Sequence, residues 1–333
     1  MRGKANIYDQ DFDGPFSECC HRYVDYKKSL GFKMGDSIFY LIRGMNRFFK
    51  PYKMTPDALV LTQEMVEDYV AYRPDESTKT QHIRMSFIRQ FALFMNRTYN
   101  HSFYVYPLKD FVKIRDGFVP YIFTHDEIDR LAEVVDLIPE SKRYPQYHII
   151  YPMLFRMLYG CGLRINEALG LTVDQIDVNS GIIHLKDSKN GCERLLPMSI
   201  SLTHYCWYYM DRMNISNRYN GLFYPSYYGG EYNSTPVYCQ MRKFMKQASI
   251  YRSNGTSPRV HDLRHTFAVH ALEKMVAEGM DIYCSLPILS QYLGHRGIES
   301  TEKYLRLTES AYHSIIDPMQ DFYGGIFPEV PHE

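Results

Sequence analysis

The sequence predicts a mainly α-helical protein with one small antiparallel β-sheet, an α+β fold arranged in two domains. Apolar residues recur at helical spacing in several segments, as at Ile38, Leu41 and Met45. One segment, residues 182–196, instead has the pattern of a β-hairpin. A chain of 333 residues is also long enough for two domains, each with its own hydrophobic core.

The first part of the chain, from about Pro15 to Leu108, predicts four or five helices. Four of them have recognisable positions: residues 16–30 before a stop at Gly31, residues 36–49, a helix capped by Thr62, and residues 78–97. A linker is expected near residues 113–121, which include Gly117 and Pro120. The predicted division is therefore a helical domain over residues 1–112, a linker over residues 113–121 and a second domain over residues 122–333.

Two of the helical segments are strongly basic. Residues 27–53 contain seven lysines or arginines against one acid, and residues 79–97 contain four against none. Because the formal net charge of the chain is zero, the distribution of charge carries the information. An apolar face opposite a basic face suits contact with a phosphate backbone, although a solvated face on an ordinary helical domain has the same pattern. The candidate DNA-binding residues are Lys27, Lys28, Lys33, Arg43, Arg47, Lys50, Lys53, Lys79, Arg84 and Arg89.

The second domain begins with a helix start signal. Thr124 and Glu127 form a capping-box pattern ahead of apolar residues at helical spacing. A further helix is expected over residues 147–158, and it leads into a break at Gly160 and Gly162.

The hairpin follows this break. Its strands are expected at residues 182–185 and 193–196, with the strong two-residue turn signal Asn190-Gly191 between them. Lys186 and Lys189 lie in the same connection.

Three motifs bring together residue types that suit phosphodiester chemistry. GLRINEALGL contains Arg164, HDLRH contains His261 and Arg264, and LGHRGIESTEKY contains His295 and Tyr304. Each motif is weak alone, because the chain has thirteen histidines and thirty tyrosines. Their occurrence together, in this order, favours a functional interpretation.

The chemistry that this set suits is cleavage of a phosphodiester without a metal. Two guanidinium groups are permanently charged and can stabilise the negative charge that accumulates on phosphate oxygens in the transition state. A tyrosine hydroxyl, with a pKa of about 10, is a poor nucleophile until a neighbour such as histidine takes its proton. A lysine could protonate the departing sugar oxygen as a general acid. The attack would leave a covalent phosphotyrosine, which keeps the bond energy for a later ligation.

The same residues have simpler explanations when each is taken alone. His261 and His265 are four residues apart, as two zinc ligands on one helical face would be, but the glutamate of HExxH and a third ligand are missing. Arg164 alone could form a surface ion pair, and Tyr304 could serve as ordinary aromatic packing.

The C-terminal two-thirds of the chain resembles the catalytic domain of the tyrosine recombinases, the phage-integrase and Xer-like family. The resemblance implies these roles: Arg164 as the first catalytic arginine, Glu167 as the supporting acid, His261 and Arg264 as the His-x-x-Arg pair, His295 as the second histidine and Tyr304 as the nucleophile. The family also carries a catalytic lysine in its β-hairpin. Aligning ERLLP with the family's second strand places Lys189 at that position, and Lys186 is the alternative.

The resemblance further implies a two-domain DNA clamp, in which residues 1–112 are a helical, SAM-like core-binding domain and residues 122–333 are catalytic. It implies no cofactor and no metal. The expected partners are double-stranded DNA with specific recombination sites, further copies of the chain in dimers or tetramers on DNA, and sister recombinases. The tail after Tyr304 is expected to contact a neighbouring protomer, with folding back on its own domain as the alternative. No separate arm-site-binding domain is expected before the helical domain.

One departure from compact Xer-like members indicates a mobile-element enzyme. Arg264 and His295 are thirty-one residues apart, and the extra length predicts a longer helix or loop before the helix that carries His295. This segment, with LPILSQYLGH, is similar to recombinases borne on transposons. The alternatives are an Xer-type resolvase of chromosome or plasmid dimers, a type IB topoisomerase and a non-catalytic DNA-binding protein with the same fold.

Composition excludes several other classes. No signal peptide and no apolar run of membrane-spanning length are evident, and seven scattered cysteines without CxxC pairs suit reduced thiols. A bacterial cytoplasmic location, with the protein associated with the nucleoid, is therefore expected. The sequence also has no GxxxxGK[ST] loop and no convincing acidic triad, which argues against nucleotide hydrolysis and against a metal-dependent nuclease or transposase.

Overall fold

The computed structural model describes residues 12–32, 34–55, 58–114, 119–186, 193–215, 221–227 and 230–295, together with residues 297, 301, 302 and 304. The chain divides into two compact units, Met1–Phe118 and Val119–Glu333. The first unit contains α1 (Ser17–Ser29), α2 (Asp36–Phe49), α3 (Gln63–Val70) and α4 (Thr78–Tyr99). The second contains α5 (His125–Asp136), α6 (Tyr147–Gly160), α7 (Ile165–Leu169), β1 (Ile176–Asp177), β2 (Ile182–Leu185), β3 (Arg194–Pro197), α8 (Ile200–Arg212), α9 (Ser234–Gln247), α10 (Asp262–Ala277) and α11 (Ile282–Leu293).

Side-chain caps begin two helices of the first unit. The Thr62 hydroxyl accepts the Met65 N–H at 3.3 Å before α3, and the Ser77 hydroxyl accepts the Thr80 N–H at 3.1 Å before α4. Each cap satisfies a backbone donor that has no partner within its helix. The cap that the sequence predicts at Thr62 is therefore confirmed.

Aromatic packing and one buried amide hold the first unit together. The Phe16 ring meets the rings of Phe49, Phe91 and Phe103 edge-on, with centroids 5.7 to 5.8 Å apart. Asn46 is fully buried; its Oδ1 accepts the Phe16 N–H at 2.9 Å and its Nδ2 donates to the Cys20 Sγ at 3.1 Å. A satisfied buried amide of this kind fixes how α1 and α2 pack.

One expectation for α4 is wrong. Arg84, expected to contact DNA, is buried. The Arg84 guanidinium pairs with the nearly buried Glu76 carboxylate and donates to the Ala71 carbonyl oxygen at 2.9 Å. Because residues 81, 84, 85 and 88 share one face of the helix, Arg84 stabilises the connection between α3 and α4 instead of facing solvent.

The second unit begins as the sequence predicts. The Thr124 hydroxyl accepts the Glu127 N–H at 3.2 Å, and the Glu127 carboxylate accepts the Thr124 N–H at 3.0 Å, which completes a capping box for α5. Helix α6, almost wholly apolar on its inner face, forms the centre of this unit's core with α5, α8 and α9.

A three-stranded antiparallel sheet in the order β1-β2-β3 flanks this core. The hairpin pairs Ile182 with Pro197 and Leu185 with Arg194, so the second strand starts and ends one residue later than predicted. Strand β1, two residues long, was not predicted, because two residues have no readable periodicity. The Asn190-Gly191 turn lies outside the described residues.

Helices α10 and α11 take up the long interval between Arg264 and His295. Helix α10 continues to Ala277, the chain turns at Gly279 and α11 starts at Ile282 with the Asp281 carboxylate as its cap. Helix α11 ends at Leu293 and is followed by Gly294, whose φ of 65° is left-handed, so His295 lies after the helix and not within it.

None of the described helices combines the length and the apolarity needed to cross a bilayer. The cysteines of the described residues are free thiols, and Cys19, Cys20, Cys161 and Cys206 are buried as packing residues.

Candidate active site

Arg164 lies at the start of α7, directly after a turn that only glycine can make. Gly162 has a left-handed φ of 59°, and a Cβ at this position would lie 2.4 Å from the Phe267 ring. The Arg164 N–H and Nη1 donate to the two oxygens of the Glu167 carboxylate, at 3.0 and 2.6 Å. This local pairing orients the Arg164 guanidinium.

The Glu167 carboxylate is shared by three guanidinium groups. Arg194 Nη2 donates to it at 2.9 Å, and Arg264 Nη1 lies 3.9 Å away. Burial alone would raise the pKa of Glu167, but the hydrogen bonds and charges of Arg194 and Arg164 outweigh burial and lower it. Glu167 is therefore ionised at neutral pH and compensates part of the buried positive charge.

Arg194, the first residue of β3, was not predicted to be part of the site. Its Nε donates to the Tyr292 carbonyl oxygen at 3.0 Å, and its side chain lies against Gly294, where a Cβ would approach Nη1 to 2.9 Å. Arg194 thus joins the hairpin to Glu167 and to the end of α11. In the sequence, ERLLP indicates only the strand register, and no local pattern shows that this arginine points inward.

The start of α10 presents Arg264 and His265, and His261 directly precedes the helix. The buried Asp262 anchors its first turn by accepting hydrogen bonds from the Arg259 N–H at 2.8 Å, Arg259 Nη2 at 2.9 Å and Arg252 Nη2 at 2.5 Å. The rings of His261 and His265, one turn apart, meet edge to face with their centroids 4.8 Å apart.

Arg264 is almost fully buried and bridges two loops. Its Nη1 donates to the Gly162 carbonyl oxygen at 2.7 Å, and its Nη2 donates to the Leu293 carbonyl oxygen at 2.5 Å. Burial, then the nearby Arg164, lowers the pKa of Arg264 to about 10, so the guanidinium stays charged at neutral pH. The turn before Arg164 and the segment before His295 are therefore held at the same charged group.

Tyr304 and His295 complete the cluster. The Tyr304 side chain is 4% exposed, its Oη lies 3.0 Å from His265 Nδ1, and its ring packs on the α10 and α11 core. The His295 ring is nearly parallel to the Tyr304 ring at 6.3 Å between centroids, and His295 Nδ1 lies 2.8 Å from Thr301 Oγ1. His265, which the sequence singled out only as a possible zinc ligand, contacts the phenol directly.

The acid–base state of the site is set by burial among cations. Burial, followed by neighbouring histidine and arginine charges, lowers the pKa of His261, His265 and His295 to about 4 in each case. Burial raises the pKa of Tyr304, while Arg264 and Arg164 oppose this rise. At neutral pH the three imidazoles are uncharged and the phenol keeps its proton.

Of the two candidate lysines, Lys186 and Lys189, the structure describes only Lys186. Lys189 lies outside the described residues. Lys186 Nζ donates to the Asp174 carboxylate at 3.1 Å, and both side chains are about half exposed. Lys186 is thus engaged in an exposed ion pair at the end of β2.

The zinc interpretation of His261 and His265 gains no third ligand among the described residues. Among these residues, a different group could bring three ligand atoms together. The potential ligand atoms of His125, His270 and Glu273 lie within 4.8 Å of one another. In that group, His270 Nδ1 lies 2.9 Å from the Tyr159 hydroxyl.

Comparison with known proteins places this site in a family. The model of the phage integrase family matches residues 122–311, more than half of the chain. A provisionally named integrase/recombinase of Sinorhizobium fredii is 25% identical over 299 residues, which cover 87% of this chain and 92% of the relative. Tyrosine recombinase XerD of Oceanobacillus iheyensis is 26% identical over 265 residues, or 77% and 80% of the two chains.

Solved structures share the fold. XerH recombinase bound to a palindromic difH substrate has a TM-score of 0.63 and 17% identity, and the match covers 83% of this chain and 77% of that one. The Tn1549 transposon integrase in complex with transposon right end DNA has a TM-score of 0.62 and 14% identity, with 91% and 98% covered. The predicted fold, mainly α with a small antiparallel sheet, is confirmed. The chain belongs to the phage integrase family and is a tyrosine recombinase.

Proposed function

We propose that this recombinase cuts and rejoins DNA strands at specific sites by attack of Tyr304 on a phosphodiester, through a 3′-phosphotyrosine intermediate. The observation that carries the proposal is the convergence of Arg164, Arg264 and the buried Tyr304 around Glu167 and the histidine rings, all within one unit. Two guanidinium charges supply the stabilisation that a metal provides in other phosphodiester-cleaving sites.

Each group has a distinct role in this proposal. Arg264 has five N–H groups, and the two that meet carbonyl oxygens orient the guanidinium so that others can bind phosphate oxygens. Arg164 binds the second face of the phosphate, and Glu167 holds it in place. His261 and His295, uncharged at neutral pH, donate hydrogen bonds to the phosphate.

The most direct test is Tyr304→Phe. Recombination sites would first be selected from random duplexes by binding to the full chain. A nick would then be placed in the selected site, so that the cleaved strand is not rejoined and the covalent adduct is trapped. We expect wild-type protein to form a covalent adduct that survives SDS, and Tyr304→Phe to bind the site with similar affinity but form none. The matched control is Tyr283→Phe, at an exposed tyrosine of α11, which should form adducts at the wild-type rate. Adducts in the Tyr304→Phe variant would refute the proposal.

We further propose Lys189 as the general acid that protonates the leaving 5′ oxygen, by alignment of the hairpin alone. Lys189→Ala should cleave at least about 10²-fold more slowly, the lower end of the range for general acid catalysis. A bridging 5′-sulfur, which leaves without needing a proton, should restore most of the rate. If Lys186→Ala shows this rescue instead, the register of the hairpin is wrong.

For the biological role we propose movement of a mobile element by a cytoplasmic enzyme that acts as a tetramer on two DNA sites. The support is LPILSQYLGH and the long interval before His295 in the sequence. The unit that contains α1 to α4 is proposed as the core-binding domain, with the exposed Lys28, Arg47, Lys53 and Lys79 as phosphate contacts. Sequencing of junctions formed in cells would distinguish element excision and insertion from resolution of dimers.

A further inference from the structure

Among the groups around the nucleophile, His265 has no role in the proposed function as stated so far. It lies in the first turn of α10, and its Nδ1 is 3.0 Å from Tyr304 Oη. This is the distance of a hydrogen bond between a phenol and an imidazole nitrogen. His265 therefore contacts the oxygen atom that is proposed to attack DNA.

We propose that His265 is the proton acceptor that activates Tyr304. The inference rests on the proposed function of Tyr304 as nucleophile. As the bond from Tyr304 Oη to phosphorus forms, the phenol proton moves to His265 Nδ1. The bond from phosphorus to the 5′ oxygen breaks, and that oxygen takes a proton from the general acid. In the reverse step the 5′ hydroxyl attacks the phosphotyrosine, and His265 returns its proton to Tyr304.

The surroundings of His265 suit an acceptor. The titratable and charged groups that face His265 are His261, Asp262 and Arg264 at the start of its own helix, and Arg259 in the preceding loop. Burial, followed by the nearby cations, keeps the imidazole uncharged at neutral pH. A neutral imidazole protonated at Nε2 offers Nδ1 as an acceptor. The phenol keeps its proton in the same pocket, so attack requires a group that removes it.

The other two histidines are engaged differently. His295 directs Nδ1 to Thr301 Oγ1 at 2.8 Å and lies parallel to the Tyr304 ring. The His261 ring packs against the His265 ring. One histidine, His265, thus contacts the phenol oxygen, and the other two do not. This geometry assigns proton acceptance to His265 and leaves His261 and His295 to bind the phosphate.

The test compares His265→Asn with His265→Ala in single-turnover cleavage of a selected, nicked site. Asparagine keeps an acceptor oxygen near the position of Nδ1 but cannot take up a proton at neutral pH. If His265 is the base, both variants should cleave about 10² to 10⁴-fold more slowly, the range of general base catalysis, with DNA affinity changed less than threefold. If His265 only positions the phenol, His265→Asn should stay within threefold of wild type, which would overturn the proposal.

Two further readouts respond to proton transfer and not to packing. In both variants the phenol must ionise unaided, so the cleavage rate should rise about tenfold per pH unit up to the pKa of Tyr304, while the wild-type rate levels off at lower pH. Added imidazole should restore cleavage to His265→Ala, and more basic imidazoles should restore more. An unchanged pH profile together with no rescue would contradict proton transfer to His265.

A matched control lies on the same helix. His270 also places its Nδ1 2.9 Å from a tyrosine hydroxyl, that of Tyr159, but outside the cluster around Tyr304. His270→Asn should cleave at the wild-type rate and show no imidazole effect. If Tyr304→Phe forms adducts, the proposed function itself is wrong. If Tyr304→Phe is inactive but the His265 variants cleave at the wild-type rate, only the role of His265 is wrong.

Discussion

At the scale of single residues, the site depends on guanidinium groups that are buried and yet charged. Arg264 is 2% exposed, but two backbone carbonyls and the Glu167 carboxylate offset the loss of its hydration. Burial, together with these positive surroundings, keeps the neighbouring histidines uncharged at neutral pH. In the proposed function, the negative charge of a bound phosphate would neutralise part of this positive charge.

This arrangement predicts that the protein loses stability in mild acid. The pKa values of His261, His265 and His295 are about 4 in the folded protein, against an ordinary value of 6.5. Below pH 6.5 the unfolded chain binds more protons than the folded one, so this contribution to stability is complete above pH 6.5 and is lost as the pH falls towards 4. Each histidine contributes about 1.8 kcal/mol over this range, so we expect the free energy of unfolding to drop by roughly 5–6 kcal/mol between pH 7 and pH 5.

Denaturant unfolding at the two pH values measures the drop. The double variant His261→Gln/His295→Gln should show a smaller one, because glutamine does not titrate. Equal drops in the variant and the wild type would mean that these histidines titrate normally in the folded protein.

At the scale of secondary-structure elements, local signals predicted much of the chain. The ends of α2 match the predicted residues 36–49, and the caps at Thr62 and Thr124 lie where the sequence places them. These features depend on neighbouring residues alone. The order of Arg164, His261, Arg264, His295 and Tyr304 likewise predicted a set of side chains that the structure brings together.

What the sequence did not predict depends on contacts between distant elements. The inward direction of Arg84 depends on the packing of α3 against α4, and that of Arg194 depends on Glu167 and on Tyr292, nearly a hundred residues away. The contact of His265 with Tyr304 likewise requires α10 to pack against a segment 39 residues further on. Local periodicity carries no information about such contacts.

We predict that Arg194→Met impairs both stability and cleavage. Methionine keeps much of the volume but removes one partner of a buried ion pair with the nearly buried Glu167, which should destabilise the protein by about 2–4 kcal/mol. Cleavage should slow roughly 10 to 100-fold, because small displacements of catalytic groups are costly. Denaturant unfolding and single-turnover cleavage measure the two effects.

The control for this change is Lys274→Met, which breaks an exposed ion pair with Glu278 on α10. An exposed pair contributes little, so this variant should behave as wild type. A cleavage rate in Arg194→Met within twofold of wild type would show that Arg194 does not position the site.

At the scale of the whole molecule, the distribution of charge along the chain is more informative than the net charge. The chain is formally neutral, but Arg47 and Lys53 of the first unit are exposed cations in a strongly basic segment. Binding of cations to DNA releases counterions, so each phosphate contact adds to the salt dependence of binding. We expect Arg47→Gln and Lys53→Gln each to weaken binding to all sequences and to reduce the slope of log affinity against log salt by about one.

Binding titrations over a range of salt concentrations test this expectation. Lys142→Gln, at an exposed lysine in the loop between α5 and α6, is the control and should leave the slope unchanged. Slopes that stay at the wild-type value in Arg47→Gln and Lys53→Gln would place the DNA contacts elsewhere.

The central claim, that Tyr304 attacks DNA in a pocket charged by arginines, is tested most directly by analysing the covalent adduct formed in excess EDTA. Wild-type protein would be trapped on a nicked site, digested with protease and examined by mass spectrometry, with the end of the attached DNA identified. We predict a single adduct on Tyr304, linked to a 3′ phosphate, at the same yield with or without EDTA. An adduct on another residue, a 5′ linkage or a requirement for a divalent metal would contradict the account.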